Sequence, residues 1–189
     1  MSLVFADPDP SYMVPCGSVP RSLAGGVGDV TSSAPGTAAR FNTGKAPLDL
    51  VPLRAMADFY DADGRPCSDE AKSALHALYY LAAWQESGDK ICLVQALRAL
   101  GDGWTECAHV FDYGRKKYAA WNWAKGFDWS VPLACAARHL RSIIDGESTD
   151  PESGLAHRGH VFCNVSMLLT FIRTWPSGDD RSPMLASPL

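Results

Sequence analysis

The spacing of the apolar residues is the feature of this chain that most restricts its fold. Between about residues 40 and 175 these residues recur at helical spacing, and hardly any stretch alternates as a half-buried strand would. The last such stretch has an apolar face made of Leu155, Val161, Val165, Leu168, Leu169 and Ile172. The pattern predicts an all-α fold, a helical bundle with disordered or irregular N- and C-terminal tails.

Capping and turn residues set the expected helix limits. Ser68, Asp89 and Ser130 are placed to accept hydrogen bonds from the first N–H groups of helices, and Gly101 is placed to end one. Pro132 falls in a first helical turn, where proline is tolerated. The predicted helices cover about 52–60, 69–86, 89–100, 105–117, 130–145 and 153–174.

Length and composition predict one folded domain between two tails. A chain of 189 residues with 47% apolar residues is typical of a single globular domain. Residues 1–39 are rich in Pro, Gly, Ser and Ala and are predicted to be a flexible N-terminal segment. Residues 40–175 are predicted to form the all-α domain, and 176–189 a C-terminal tail.

The net charge of −4 argues against a nucleic acid polymer as partner. No apolar run approaches the roughly 18–20 residues that span a bilayer. The first residues also lack the basic and apolar parts of a signal peptide. None of the six cysteines forms a CxxC pair, so we expect reduced thiols in a cytoplasmic protein without a membrane partner.

An acidic turn holds the densest group of ionisable residues. Glu147, Asp150 and Glu152 lie in one short turn, and the first two are three residues apart, so both carboxylates could face one divalent ion. Clustered charges are costly unless a metal ion or a charged ligand compensates them. The turn predicts metal-dependent chemistry on a polyanion, and the alternative is a solvated acidic loop.

Three polar residues follow the turn on one helical stripe. His157, His160 and Asn164 are spaced i, i+3 and i+7, which places them on the same side of a helix. The imidazoles could bind a metal ion directly. They could instead orient the carboxylates or hydrogen-bond to phosphate, and the alternative is a structural role.

Arg138 and His139 precede the turn. The guanidinium of Arg138 suits bidentate contact with phosphate or carboxylate. The alternative for Arg138 is an ion pair with Asp145, Glu147 or Glu152.

Two further segments offer contacts to a phosphorylated ligand. In 114–126, Lys117 and Lys125 could neutralise phosphate, Tyr118, Trp121 or Trp123 could stack on a base, and Asn122 could bind a base edge. The alternative is an aromatic loop that covers the core. In 40–52, Arg40, Asn42 and Lys45 could reach an anion, although the Gly44-Lys45 pair lacks Walker spacing.

The segments RFNTGKAPLDLVP (40–52), YGRKKYAAWNWAKG (113–126) and RHLRSIIDGESTDPESGLAHRGHVFCN (138–164), in this order, resemble the dATP/dGTP diphosphohydrolase family of bacteriophages through its N-terminal-domain signature. The resemblance covers about 40–58 and 104–173. It implies hydrolysis of a purine deoxynucleoside triphosphate to the monophosphate and pyrophosphate, with Mg²⁺ or Mn²⁺, acting on the nucleotide pool during phage infection. The family is similar in reaction to the MazG-like all-α pyrophosphohydrolases.

The resemblance also suggests roles for residues. MazG-like enzymes hold metal ions with ExxE and ExxD motifs; Glu147-x-x-Asp150 matches one acidic pair, whereas His157-x-x-His160 stands where a second would be expected. The hypothesis is therefore a metal site formed by Glu147, Asp150, His157 and His160. The predicted catalytic residues are Glu147, Asp150, Glu152 and His160, and the predicted substrate-binding residues are Lys45, Lys117, Asn122, Trp123, Arg138, His139 and Asn164.

The departures from the family pattern leave alternatives open. Residues 57–103 look like a helical insertion, and a homo-oligomer is expected only by analogy. A His/Asp-type triphosphohydrolase or nucleotidase is a second possibility, although the adjacent His-Asp pair is absent. A third is a non-catalytic module that binds nucleotides or a partner protein. The sequence does not decide between adenine and guanine, deoxyribose and ribose, or one divalent metal and another.

Overall fold

A computed structural model describes residues 26–29, 31–42 and 44–185. The predicted all-α bundle is confirmed in this part of the chain, and the predicted helix limits hold to within a few residues. The helices are α1 (Leu53–Ala62), α2 (Asp69–Ser87), α3 (Lys90–Ala99), α4 (Trp104–Tyr118), α5 (Ser130–Ile144) and α6 (His157–Thr174). The predictions for residues 1–25 and 186–189 lie outside the described residues.

Two of the three predicted N-caps are confirmed. The Ser68 hydroxyl accepts the N–H of Ala71, and Asp89 Oδ1 accepts the N–H of Ile91. The prediction for Ser130 is wrong because Ser130 is the first helical residue and Trp129 precedes it as the cap. The Ser130 N–H donates instead to Asp180 Oδ1 at 2.8 Å. The acceptor at the start of this helix is therefore the side chain of Asp180, 50 residues away in the sequence, and not the predicted Ser130 hydroxyl.

Helix α6 lies at the centre of the bundle. It packs between α4 and α5. Helix α5 also packs on α2, and α1 and α3 both pack on α2. The largest fully buried side chains come from α1, α2, α3, α5 and α6 and include Trp84, Phe162, Phe171, Leu53, Leu78, Leu81, Leu93, Leu133, Leu140 and Leu168. Within the described residues, none of the helices has both the length and the apolar character needed to cross a bilayer.

The segments that flank the bundle are short and lie against it. β1 (Gly26–Val27) pairs antiparallel with β2 (Arg40–Phe41), and Ala38 and Ala39 are buried. The C-terminal part has short 3-10 turns at Pro176–Gly178 and Pro183–Leu185. The domain boundaries and the insertion at 57–103 stay predictions, although α2 and α3 share the common hydrophobic core.

The described cysteines are free thiols, as expected. Cys92, Cys107, Cys135 and Cys163 lie in helices and Cys67 is exposed, whereas Cys16 falls outside the described residues.

Candidate functional site

A cavity of about 510 Å³ opens between α4, α5, α6 and the segments that cross them. This volume lies within the range typical of small-molecule sites. One group of lining residues is ionisable and the other is aromatic. The ionisable group includes Arg40, Lys45, Asp112, Arg115, Lys117, His139, Asp150, Glu152 and His160, and the aromatic group includes Phe111, Tyr118, Trp121 and Trp123.

The acidic turn is a tight loop between α5 and α6. Thr149 and Ala156 form an isolated antiparallel bridge at its base. The N–H of Asp150 donates to the Leu155 carbonyl at 2.8 Å, and Gly154 adopts a φ of +69°, which favours glycine. The loop geometry therefore fixes the backbone from which the Asp150 side chain reaches the cavity.

The carboxylate of Asp150 is held by its own turn. Its Oδ2 accepts the backbone N–H of Ser153 at 2.9 Å and the Ser153 hydroxyl at 2.7 Å. Burial opposes ionisation of this carboxyl, but these two bonds and the nearby imidazoles bring its pKa below its ordinary value. Asp150 is therefore an anion with an enforced orientation.

The same hydroxyl defines the tautomer of His160. Ser153 Oγ lies 2.8 Å from His160 Nε2 and has one proton, which it donates to the Asp150 carboxylate. His160 must then carry its proton on Nε2 and keep a lone pair on Nδ1. Burial and the proximity of the His139 ring lower the pKa of His160 to about 4, so the His160 ring is neutral at physiological pH.

Three histidines meet across the contact of α5 and α6. The Nδ1 atoms of His139 and His157 are 2.8 Å apart, and since they share one proton, at least one ring is unprotonated at Nδ1. The rings of His139 and His160 stack with centroids 4.4 Å apart. Burial and the charge of His139 lower the pKa of His157, whose buried Nε2 has no hydrogen-bond partner among the described residues.

A metal ion fits one part of this group. His139, Asp150 and His157 each offer one ligand atom, and these atoms all lie within 4.8 Å of one another. The buried Nε2 of His157 has no hydrogen-bond partner among the described residues and is a polar atom that a bound ion would satisfy. Glu147 lies at the edge of this group. Its side chain is 61% exposed, and its carboxylate is 3.6 Å from His157 Nε2, beyond hydrogen-bond distance. His160 lies beside the group, with Nε2 3.7 Å from Asp150 Oδ2.

Glu152 is paired with two lysines. Its two oxygens lie 2.6 Å from Lys45 Nζ and 2.9 Å from Lys117 Nζ. These hydrogen bonds lower the pKa of Glu152 to about 2. The pairing brings two cations from distant segments to the cavity and leaves Glu152 as their shared counter-charge.

Arg40 lies on the cavity wall without a carboxylate partner among the described residues. Its Nη2 donates to Asn164 Oδ1 at 2.7 Å and to Cys135 Sγ at 3.3 Å. Burial favours the neutral thiol of Cys135, but Arg40 and a hydrogen bond with His139 outweigh burial and hold the Cys135 pKa well below its usual range. The Arg40 charge therefore faces sulfur and amide groups and the open cavity.

The structure brings together most, but not all, of the predicted site residues. Those that line the cavity are Lys45, Lys117, Asn122, Trp123, His139, Asp150, Glu152 and His160. Glu147, Arg138, His157 and Asn164 are outside the lining, although His157 belongs to the possible metal group and Asn164 contacts Arg40.

Three predicted substrate-binding residues have structural partners. The amide of Asn122 is 7% exposed and bonds through both its oxygen and its nitrogen to the backbone of Ala39. Arg138 donates to the Ala46 carbonyl at 2.8 Å and has no acidic partner among the described residues, and its phosphate contact stays a prediction. Asn164 is fully buried, and its NH₂ group donates a hydrogen bond to the carbonyl of His160.

Sequence reasoning missed Ser153 and Cys135. Ser153 had a signal, because a serine three residues after an aspartate in a Pro- and Gly-containing turn is placed to bond back to that aspartate. Cys135 had only its position four residues before His139, one helical turn along the same face. Its proximity to Arg40 depends on tertiary contact.

The fold and the cavity define an all-α protein with a pocket whose cations, imidazoles and ordered carboxylate suit an anionic ligand. Residues 85–181 match the family described as dATP/dGTP diphosphohydrolase, N-terminal. Because this match spans more than half of the 189 residues, the chain belongs to that family.

A curated relative carries the same description. The chain is 29% identical over 83 residues to a dATP/dGTP diphosphohydrolase of Salmonella phage PMBT28. The match covers 44% of this chain and 28% of the relative, so the chain spans less than a third of that protein's length. No solved structure matches the chain.

Proposed function

We propose that this chain hydrolyses a purine deoxynucleoside triphosphate, dATP or dGTP, to the monophosphate and pyrophosphate in a metal-dependent reaction. The observation that carries the proposal is a cavity that combines a His–Asp group, the cations Arg40, Lys45 and Lys117, and an aromatic wall. Membership of the family supports the reaction class. The setting would be the nucleotide pool of an infected bacterial cytoplasm.

The divalent ion would be held by His139, Asp150 and His157, with Glu147 at the solvent margin. Two imidazoles and one carboxylate suit Mn²⁺ better than Mg²⁺, which prefers oxygen ligands. When bound, the ion supplies positive charge that offsets the charge developing on the phosphoryl oxygens. Ser153 and His160 keep Asp150 ionised and oriented for this role.

The cations of the cavity bind the triphosphate. Arg40 offers a guanidinium that no carboxylate of the described residues neutralises, and Lys45 and Lys117 are brought to the same wall. A triphosphate oxygen can replace Glu152 as the acceptor for these lysines. In the absence of substrate, Glu152 holds the two lysines in place.

The exchange at Glu152 gives a testable result. Glu152→Gln removes the carboxylate that competes with a bound anion for Lys45 and Lys117. The affinity for inorganic tripolyphosphate should therefore rise about 3- to 10-fold, the scale of two partly exposed ion pairs. Titration calorimetry in low salt without added metal measures this. Glu86→Gln, which breaks the pair with Arg54 outside the cavity, is the matched control. Weaker tripolyphosphate binding in Glu152→Gln would instead make Glu152 part of the binding machinery.

The reaction is tested by incubating the purified chain with each dNTP and NTP, in Mn²⁺ and then in Mg²⁺, and resolving the products. We expect a purine deoxynucleoside monophosphate and pyrophosphate, with faster turnover in Mn²⁺. Release of tripolyphosphate would replace this proposal with the His/Asp-type triphosphohydrolase, and free phosphate would indicate a nucleotidase.

A second candidate is a nucleotide-binding module without its own turnover. The observation that favours it is that the match covers only 28% of the phage relative. Catalysis in such proteins could then depend on sequence beyond this chain. Saturable binding of dATP or dGTP without any product in either metal would support this candidate over the hydrolase.

A further inference from the structure

Trp121 is a large aromatic residue exposed on the wall of the cavity. Its side chain lines the cavity, and the residue is 73% exposed. Its ring lies 6.0 Å from that of Trp123 at an interplanar angle of 43°, so one indole supports the other. An indole left largely in water beside a ligand-sized cavity is a surface on which a flat apolar group can bind.

The backbone around Trp121 is strained. Trp121 has a φ of +59° and Ala119 a φ of +81°, and within the described ranges these are the non-glycine residues with positive φ. Glycine or asparagine is the ordinary residue at such positions, and a bulky aromatic residue there is costly. Backbone preference therefore does not explain the indole at this position, and strain of this kind concentrates at ligand sites.

Neighbouring contacts hold the strained segment in place. The two hydrogen bonds between Asn122 and Ala39 fix the residue after Trp121, and Lys125 Nζ donates to the carbonyls of Asp29 and Ser32. Asn122 thus serves to position the segment instead of offering its amide to a base.

Trp123, the other residue predicted to contact a base, lines the cavity but is partly buried against neighbouring rings. Its ring packs against Phe111 at 5.4 Å and against Phe171 at 6.2 Å, and it lies beside the hydrophobic core. Both rings line the cavity, but that of Trp123 is held between neighbouring rings whereas that of Trp121 is largely exposed.

We propose that Trp121 is the platform on which the nucleobase of the ligand stacks, and that it favours purines over pyrimidines. The two fused rings of a purine cover more of an indole than the single ring of a pyrimidine does, so they gain more from stacking. This inference rests on the proposed function in one respect, that the ligand of the cavity is a nucleotide. It does not require turnover.

The test separates base binding from phosphate binding. Affinities of the full chain for dAMP, dCMP and inorganic tripolyphosphate are measured by calorimetry for the wild type, Trp121→Ala and Trp121→Phe. Trp121→Ala should weaken dAMP binding about tenfold or more, weaken dCMP binding less, and leave tripolyphosphate binding unchanged. Trp121→Phe, which keeps an aromatic face, should recover most of the dAMP affinity.

Trp104→Ala is the matched control, because Trp104 is 55% exposed but packs edge-on against Phe162 and lies outside the cavity lining. It should leave all three affinities unchanged. A second readout is the quenching of tryptophan fluorescence by dAMP, which should be largely lost in Trp121→Phe and retained in Trp104→Phe.

Unchanged dAMP affinity and unchanged quenching in the Trp121 variants would overturn the inference, even if the wild type hydrolyses dATP. An equal loss of tripolyphosphate and dAMP affinity would also overturn it, because the indole would then act on the cavity as a whole. Selective loss of dAMP affinity in a chain without turnover would support the stacking role and overturn the hydrolase. A wild type that binds no nucleotide would overturn both proposals.

Discussion

Replacing Asp150 with Asn should abolish both Mn²⁺ binding and turnover. The substitution keeps the size of the side chain but removes the charge that two Ser153 hydrogen bonds stabilise, and it leaves His139 and His157 as a two-ligand set. If the ion contributes several kcal/mol to the transition state, kcat should fall about a thousand-fold or more. Calorimetric titration with Mn²⁺ measures the metal loss independently of activity.

Glu147→Gln is the informative comparison for Asp150→Asn. The Glu147 carboxylate is largely exposed and reaches only His157, so its loss should weaken Mn²⁺ binding about 10- to 100-fold, as for groups that support metal ligands. High Mn²⁺ should then restore kcat. Equal and complete loss of turnover in both variants, at any Mn²⁺ concentration, would place Glu147 among the direct ligands. Full activity in Asp150→Asn would remove the metal site from the mechanism.

The fold was accessible from sequence because its signals are local. Helical periodicity, the Ser68 and Asp89 caps and the glycine that follows α3 each depend on residues within one or two turns of each other. Ser130 shows the limit of such reasoning. Its N–H is satisfied by Asp180, which no local pattern relates to the start of α5.

The candidate site likewise has residues that local sequence could predict and residues whose contacts depend on tertiary packing. The stripe of His157, His160 and Asn164 was predictable because α6 itself sets the spacing. Asp150 could be singled out because it lies three residues after Glu147 in the acidic turn. The meeting of His139 with His157 depends on how α5 packs on α6. A helical period places a side chain on a face but does not say which face of a neighbour it meets.

The roles of two predicted ligand-binding residues depended on longer-range contacts. Asn122 bonds to Ala39 across 83 positions, and Arg138 bonds to Ala46 across 92. Both side chains have the chemistry that a nucleotide site needs, and both are occupied by backbone groups. Residue type alone therefore could not distinguish a ligand contact from a contact that positions a loop.

Gly159→Ala should destabilise the fold, although alanine normally favours a helix over glycine. A Cβ at this position would lie 2.7 Å from Glu106 Cβ and 2.8 Å from the Glu106 carbonyl carbon and oxygen, so α4 and α6 would have to separate. The gain in helix propensity is about 1 kcal/mol, and overpacking against backbone costs about 1–3 kcal/mol. Chemical denaturation should show a net loss of up to about 2 kcal/mol.

Gly114→Ala gives the opposite sign and is the matched control. Gly114 lies within α4, and a Cβ there would meet nothing within 4 Å. The same substitution should therefore raise the stability by about 1 kcal/mol. Because α4 and α6 form facing walls of the cavity, Gly159→Ala should also weaken tripolyphosphate binding. Equal stability changes in the two variants would mean that α4 and α6 do not approach as closely as Gly159 indicates, and the cavity between them would lose its physical basis.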